Sequence, residues 1–200
     1  MSVGFRLVRD VRAASAAEFA LVLPLLLIFL LGLIDAGRFM WEYNQAEKAT
    51  QAGTRYAVAT GLVPSGLSSY SFAVSDGIPQ GTVVPTANFS FANCNNSSCS
   101  CTGSMCGSIG YNGAAFTNIV DRMQAMYAPI TPANVQVEYR NVGIGFAGNP
   151  SGPDVSALVT VRLAGLQFQP VTCFVFACSI TMPDFSSALT LEDASGSVSN

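Results

Sequence analysis

Between Phe19 and Ile34 the chain runs for 16 residues without a charge. A bilayer-spanning helix needs roughly 20 apolar residues. The run reaches that length only by taking in Ala13–Ala17, which brings Glu18 to the edge of the hydrocarbon or into it. An ionisable group there is costly enough to be read as functional by default. Pro24 lies inside the run and leaves the Ala20 carbonyl without its helical donor, so a kink is expected over Ala20–Pro24. Bilayer helices tolerate such a break when neighbouring helices or local adjustment satisfy the freed group.

No further proline occurs before Ala59. A helix unbroken from Ala14 to Ala59 would be about 69 Å long at 1.5 Å per residue, far more than a membrane requires. Its later half carries a narrow stripe of Phe39, Tyr43, Ala46, Thr50, Gly53 and Ala57 at alternating spacings of four and three, with Glu42, Glu47, Lys48 and Arg55 off it. Small residues on such a stripe admit another backbone closely. The last three turns are expected to cover the chain's own globular domain, and Phe39 and Tyr43 to be open to neighbours. Trp41 and Tyr43 fit an interfacial aromatic belt.

Charge sets the expected orientation. Residues 1–13 hold Arg6, Arg9 and Arg12 against Asp10, so of a formal charge of −3 the remainder carries −5. Arginines before an apolar run keep the N-terminus in the cytoplasm. No basic patch survives beyond the run, which argues against nucleic-acid binding. A cleaved secretory signal competes for the same start. Against it stand a longer apolar core than usual and no small-x-small site after Ile34.

Six cysteines fall as Cys94-x4-Cys99, Cys101-x4-Cys106 and Cys173-x4-Cys178, all beyond the apolar run. An even count outside the cytoplasm reads as disulfides. Sequence proximity favours those three local pairs, and crossed pairings within residues 94–106 stay open. A zinc site of Cys94, Cys99, Cys101 and Cys106 is opposed by the compartment and by spacing wider than a Cys-x2-Cys knuckle.

Gly61-Leu62-Val63-Pro64-Ser65-Gly66 should end the long helix. Residues 61–112 are rich in Ser, Gly, Asn and Pro, with Tyr70–Val74 and Thr82–Val84 as short candidate strands and the cysteine cluster as a stapled surface loop. Phe116, Ile119, Val120, Met123 and Tyr127 then make the apolar face of a helix over Gly113–Tyr127. Strands are expected at Val135–Tyr139, Val155–Leu163, Leu166–Phe168, Ile180–Met182 and Ala188–Leu191, with Cys173–Cys178 stapling a hairpin tip. The expected class is α+β: a leader (1–13), a transmembrane and stalk helix (14–60), and a domain (61–200) with a second helix and an antiparallel sheet.

The chemistry-bearing residues are sparse. With no histidine, mechanisms that use a histidine base or ligand are excluded. The sole lysine, Lys48, sits on the long helix, and no phosphate loop or dinucleotide fingerprint occurs. Catalysis is not expected, and neither a cofactor nor a metal.

Glu18-Phe19-Ala20-Leu21-Val22-Leu23-Pro24, then Gly32-Leu33-Ile34-Asp35-Ala36-Gly37-Arg38, followed by Tyr43-Asn44-Gln45 and Ala52-Gly53-Thr54-Arg55-Tyr56-Ala57, resemble the TadE-like family, pseudopilins of the bacterial tight-adherence (Flp pilus) secretion system. The resemblance covers about a quarter of the chain. It implies an inner-membrane protein with a cytoplasmic N-terminus and a periplasmic domain. The partners it implies are other pilin-like subunits, the pilus assembly platform and a prepilin peptidase. In that family the peptidase cuts just before the apolar helix. Carried over, the cut falls between Ala13 and Ala14, making Glu18 the fifth mature residue and Phe19 the sixth; the family usually has Gly where this chain has Ala13. Glu18 would then pair with a neighbour's freed amino group and register the subunits. The runner-up reading is a membrane-anchored binding module that never joins a pilus.

Overall fold

The computed structural model describes residues 11–173, 178–192, 194 and 196. Most of the expected leader, with Arg6, Arg9 and Asp10, lies outside them. The described chain is α+β: a long N-terminal helix, then a smaller helix and an antiparallel sheet. Contacts divide it into two compact units, Met1–Trp41 with Gln167–Ile180, and Glu42–Leu166 with Thr181–Asn200. The helix α1 (Val11–Ala59) runs through both as one element with Pro24 inside it.

The larger unit is built on a five-stranded antiparallel sheet. Its strands are β1 (Phe91–Cys94), β2 (Cys99–Thr102), β3 (Val135–Arg140), β4 (Leu158–Leu163) and β7 (Phe185–Thr190), in the order β2-β1-β3-β4-β7. Alternation sends Val135, Val137 and Tyr139 of β3 and Val159, Val161 and Leu163 of β4 to one buried face, as period-two patterning requires. The register stacks them: Tyr139 lies opposite Ala92 and Val159, Val137 opposite Cys94 and Val161, and Leu163 opposite Val135 and Phe185. Each such side chain contributes about 1.5–3 kcal/mol on full burial. The Tyr139 hydroxyl is not wasted there, because it accepts the Val63 N–H at 3.3 Å, and burial pushes its ionisation up.

α1 joins this core through small and hydroxylated residues. Ala46, Ala49, Thr50, Thr54 and Ala57 are buried. The Thr50 and Thr54 hydroxyls donate to the carbonyls one turn back, each at 2.9 Å, so neither costs an unmet donor. Gly53 has a steric reason: a Cβ there would sit 2.6 Å from Met123 Cγ of α3 (Gly113–Gln124). Tyr43 packs edge-on against Phe185 with ring centroids 4.9 Å apart. The Tyr127 hydroxyl donates to Glu42 at 3.0 Å, and burial, with that carboxylate beside it, pushes the phenol up to about 12. The stripe is therefore covered by the chain itself from Ala46 onward. Tyr43, expected to be open to neighbours, is also engaged in its own unit.

Several expected elements fall elsewhere. The cysteine cluster is a β-hairpin, not only a surface loop: β1 and β2 pair with Cys94 opposite Cys99, and β1 continues the sheet onto β3. Cys94 bonds Cys99, and Cys101 bonds Cys106 in the turn that follows. Rings this short contribute roughly 2 kcal/mol each in the chain-entropy model. Tyr70–Val74 is not a strand; Phe72–Ser75 forms one helical turn (α2) whose leading Phe72 N–H is held by the distant Asp154 carboxylate at 2.8 Å. Thr82–Val84 joins no ladder: the Thr82 N–H and hydroxyl donate to the Pro79 carbonyl at 3.2 and 2.6 Å, and its carbonyl accepts the Ala147 N–H at 2.8 Å. β4 starts at Leu158 because Val155–Ala157 stays irregular, Ser156 donating to Ile144.

Residues 61–112 are pinned by a carboxylate. Asp76 accepts from Ser104 at 2.7 Å and from Tyr70 and Asn88, each at 2.8 Å. The Ser104 bond foremost, aided by Tyr70 and Asn88 and opposed by partial burial, holds the Asp76 carboxyl below the usual carboxylate range. A folded-state value below the unfolded one stabilises above the unfolded pKa, and the contribution is lost as pH falls through the folded value. The stability gap between the wild-type chain and Asp76→Asn should therefore be larger at about pH 7 than at about pH 3, a window spanning the ordinary aspartate value of about 3.9. Chemical denaturation of both proteins in detergent measures it; a gap independent of pH would show that the Asp76 charge contributes nothing.

Candidate functional site

The smaller unit combines α1 from Val11 to Trp41 with a hairpin. From Ser15 to Ile34 the helix lacks cover on nearly every face: Phe19 is 65% exposed, Leu21 80%, Leu25 71%, Phe29 64% and Ile34 54%. Every side chain of this kind held in water forfeits about 25 cal/mol per Å² of apolar area. Such a surface needs lipid or other helices around it. It is the one described helix long and apolar enough to cross a membrane, with a mean hydropathy of 2.6 over its best window.

The sequence-predicted residues fall on this helix as follows. Ala13 and Ala14 lie in its first turn, two and three residues after its start at Val11. Glu18 is exposed on the following turn. No ion pair to Glu18 occurs among the described residues. Phe19 beside it is uncovered. Pro24 sits between Glu18 and the end of the run, where the helical assignment continues through it.

A carboxylate without an assigned role in the sequence reading proves to be buried and hydrogen-bonded on both oxygens. Asp35 follows the apolar run directly and is only 6% exposed. It accepts the Val171 N–H at 2.7 Å on one oxygen, and on the other the Thr172 N–H and the Thr172 hydroxyl, each at 2.8 Å. Arg38, one turn on, reaches within 3.6 Å of the first oxygen. Its guanidinium also lies over the Phe168 ring at 5.4 Å, and Phe168 meets Phe39 edge-on at 5.3 Å. Phe39 is thus engaged within its own unit and not left for a neighbour.

The hairpin on Asp35 opens with β5 (Gln167–Phe168) paired to β6 (Ile180–Thr181) and is closed by the Cys173–Cys178 bond. Two successive amides, those of Val171 and Thr172, point at one carboxylate, an arrangement that favours its charged form. Residues 174–177, the hairpin tip of the sequence reading, lie outside the described ones. Sequence reasoning missed this clamp because its partners are 136 residues apart. The available signal was a carboxylate abutting an apolar run with an arginine three residues later.

In the larger unit Tyr43, Glu47 and Gln51 line a groove of about 300 Å³ with Asp184–Ser187. Its surroundings are polar, and among the described residues no three His, Cys, Asp or Glu side chains gather as metal ligands would.

A long uncovered apolar helix leading into a small disulfide-bearing α+β domain defines the class: a chain with a single-pass membrane anchor. Residues 13–55 match the family model described as TadE-like protein, the same family that Glu18–Pro24 and Gly32–Arg38 resemble. The matched span contains the helix from the expected cleavage site through Asp35 to Arg55. No curated protein and no solved structure matches the chain.

The Asp35 clamp makes a local prediction. Asp35→Ala should strip protection from the Val171 and Thr172 amides in hydrogen exchange, and Asp35→Asn, which keeps one acceptor oxygen, should lose less. The β3 and β4 amides should be unchanged in both. Equal protection at Val171 and Thr172 in all three proteins would show that the hairpin is held without Asp35.

Proposed function

We propose that this chain is a pilin-like, TadE-type component of tight-adherence pilus biogenesis. α1 anchors it in the bacterial inner membrane with the N-terminus in the cytoplasm and the disulfide-bearing domain in the periplasm. It works by assembly and not by catalysis, and it uses no cofactor. Its partners are other pilin-like subunits, the assembly platform and a prepilin peptidase that cuts between Ala13 and Ala14. The observation that carries this reading is Glu18 exposed on an otherwise apolar, uncovered helix, within the segment that matches the TadE-like model.

The mechanism follows from the cost of that carboxylate. Cleavage creates an amino group at Ala14, four residues before Glu18. A carboxylate carried into hydrocarbon needs a cationic partner, and the Ala14 amine of an adjacent subunit supplies one. The pair fixes the axial register of two helices whose apolar faces are otherwise non-directional. Breaking one member of a buried pair costs about 3–5 kcal/mol, on the order of a hundredfold or more in partner affinity.

A membrane-anchored binding module is the second reading, favoured by one surface feature. Val142, Ile144 and Phe146 are 44%, 49% and 41% exposed along a single loop of the larger unit. Glu18→Ala separates the two. It should leave membrane insertion and protein level intact and abolish piliation and crosslinking to other pilins, with Glu18→Gln nearly as damaging because the charge is gone. Normal piliation in both variants at normal protein level would sink the pilin-like mechanism and favour the binding module.

A further inference from the structure

The clamp on Asp35 also places an apolar segment at the very end of the membrane-crossing run. Val171, whose N–H lies 2.7 Å from Asp35, has its side chain 44% exposed, and Ile180 on the returning strand is 45% exposed. Trp41, two turns beyond Asp35 on α1, is 62% exposed. Three large apolar residues exposed together where a membrane-crossing run ends call for a medium other than water.

Lengths identify that medium. The 16 uncharged residues of Phe19–Ile34 span about 24 Å as helix, short of a hydrocarbon core of about 30 Å. If Glu18 sits at one edge, Asp35 lies at or just inside the other. A carboxylate there is costly unless its hydrogen-bonding capacity is filled. The two amides and one hydroxyl of Val171 and Thr172 fill it, and Arg38 supplies the adjacent positive charge. The hairpin therefore does at the membrane boundary what water would do outside it.

We infer that the two hairpin arms, residues 167–173 and 178–180, form a lipid-contacting element. Clamped to Asp35, it lays Val171 and Ile180 into the headgroup and upper acyl region of the leaflet at the Ile34 end of α1, beside Trp41. Apolar side chains on interfacial elements enter to about 5–10 Å, and tryptophan favours the same zone. The hairpin thus widens a single-helix anchor into a two-point contact, restraining rotation of α1 about its axis. This inference rests on the membrane-anchor reading of α1 and is independent of pilus assembly.

Trp41 is the only tryptophan, so fluorescence tests the proposal on the full-length chain in vesicles of phosphatidylethanolamine and phosphatidylglycerol. Lipids brominated high on the acyl chain are compared with unbrominated ones. The wild-type Trp41 emission should be quenched. In a Trp41→Phe background, Val171→Trp and Ile180→Trp should each lose most of their emission to the shallow bromines and resist aqueous acrylamide. Leu27→Trp in the same background should be quenched by bromines placed mid-chain. Non-reducing peptide mapping verifies the Cys173–Cys178 bond in each variant, and two hairpin probes guard against one that perturbs the clamp. Quenching at Leu27→Trp with none at either hairpin probe would overturn the proposal and leave the anchor standing. No quenching at Leu27→Trp would overturn both. Hairpin probes shielded from acrylamide but untouched by bromine would mean that protein, not lipid, covers the hairpin, and would also overturn it.

Discussion

The exposed apolar length of α1 is the constraint from which the other features follow. From Ser15 to Ile34 nothing in the described chain covers it, whereas from Ala46 to Val58 its small residues are buried in the larger unit. One helix thus serves two solvents. The first part presents large side chains, Leu, Ile and Phe, that gain by meeting lipid or other helices. The second presents Ala, Thr and Gly, which let α3 come so close at Gly53 that a methyl group would collide with Met123. Such different sequence demands on successive turns explain why the stretch is long and why, between Glu18 and Asp35, it carries no charge.

Polar groups are handled in matching ways on each part. Threonines buried in the larger unit return their hydroxyls to the helix backbone. Asp35, at the boundary, is satisfied by backbone from the far end of the sequence. Glu18 has no ion pair among the described residues, and of the charged groups on α1 it is the one that borders the uncovered apolar run without one. That contrast with Asp35 is what supports the proposed role of Glu18: a carboxylate beside hydrocarbon needs a cationic partner, and the proposal draws it from another subunit.

Much of this was legible in the sequence, for identifiable reasons. α1 and α3 announce themselves by uncharged length and by the Phe116–Met123 periodicity, and β3 and β4 by strict alternation; burial on one face leaves a clear imprint on composition. The five-stranded sheet was under-read because β1 and β2 consist of Phe-Ala-Asn-Cys and Cys-Ser-Cys-Thr. Their strand conformation comes from the ladder to β3 and from the Cys94–Cys99 bond, not from local propensity. α2 was mistaken for a strand because its N-terminal amide is held by Asp154, 82 residues away. At the site, Glu18 and Pro24 stood out as exceptions within an apolar run. Asp35 did not, since a carboxylate at the end of such a run looks like an ordinary exit to solvent until Val171 and Thr172 are placed against it.

The helix-to-helix role proposed for Glu18 depends on an amine at Ala14, which exists only if residues 1–13 are removed. The intact mass of the protein extracted from native membranes reads this directly. A mature chain lacking residues 1–13, with Ala14 as its free N-terminus, is the predicted result. A membrane population that uniformly retains those residues, in cells whose pili assemble normally, would contradict it, because Glu18 would then have no neighbouring amine to meet.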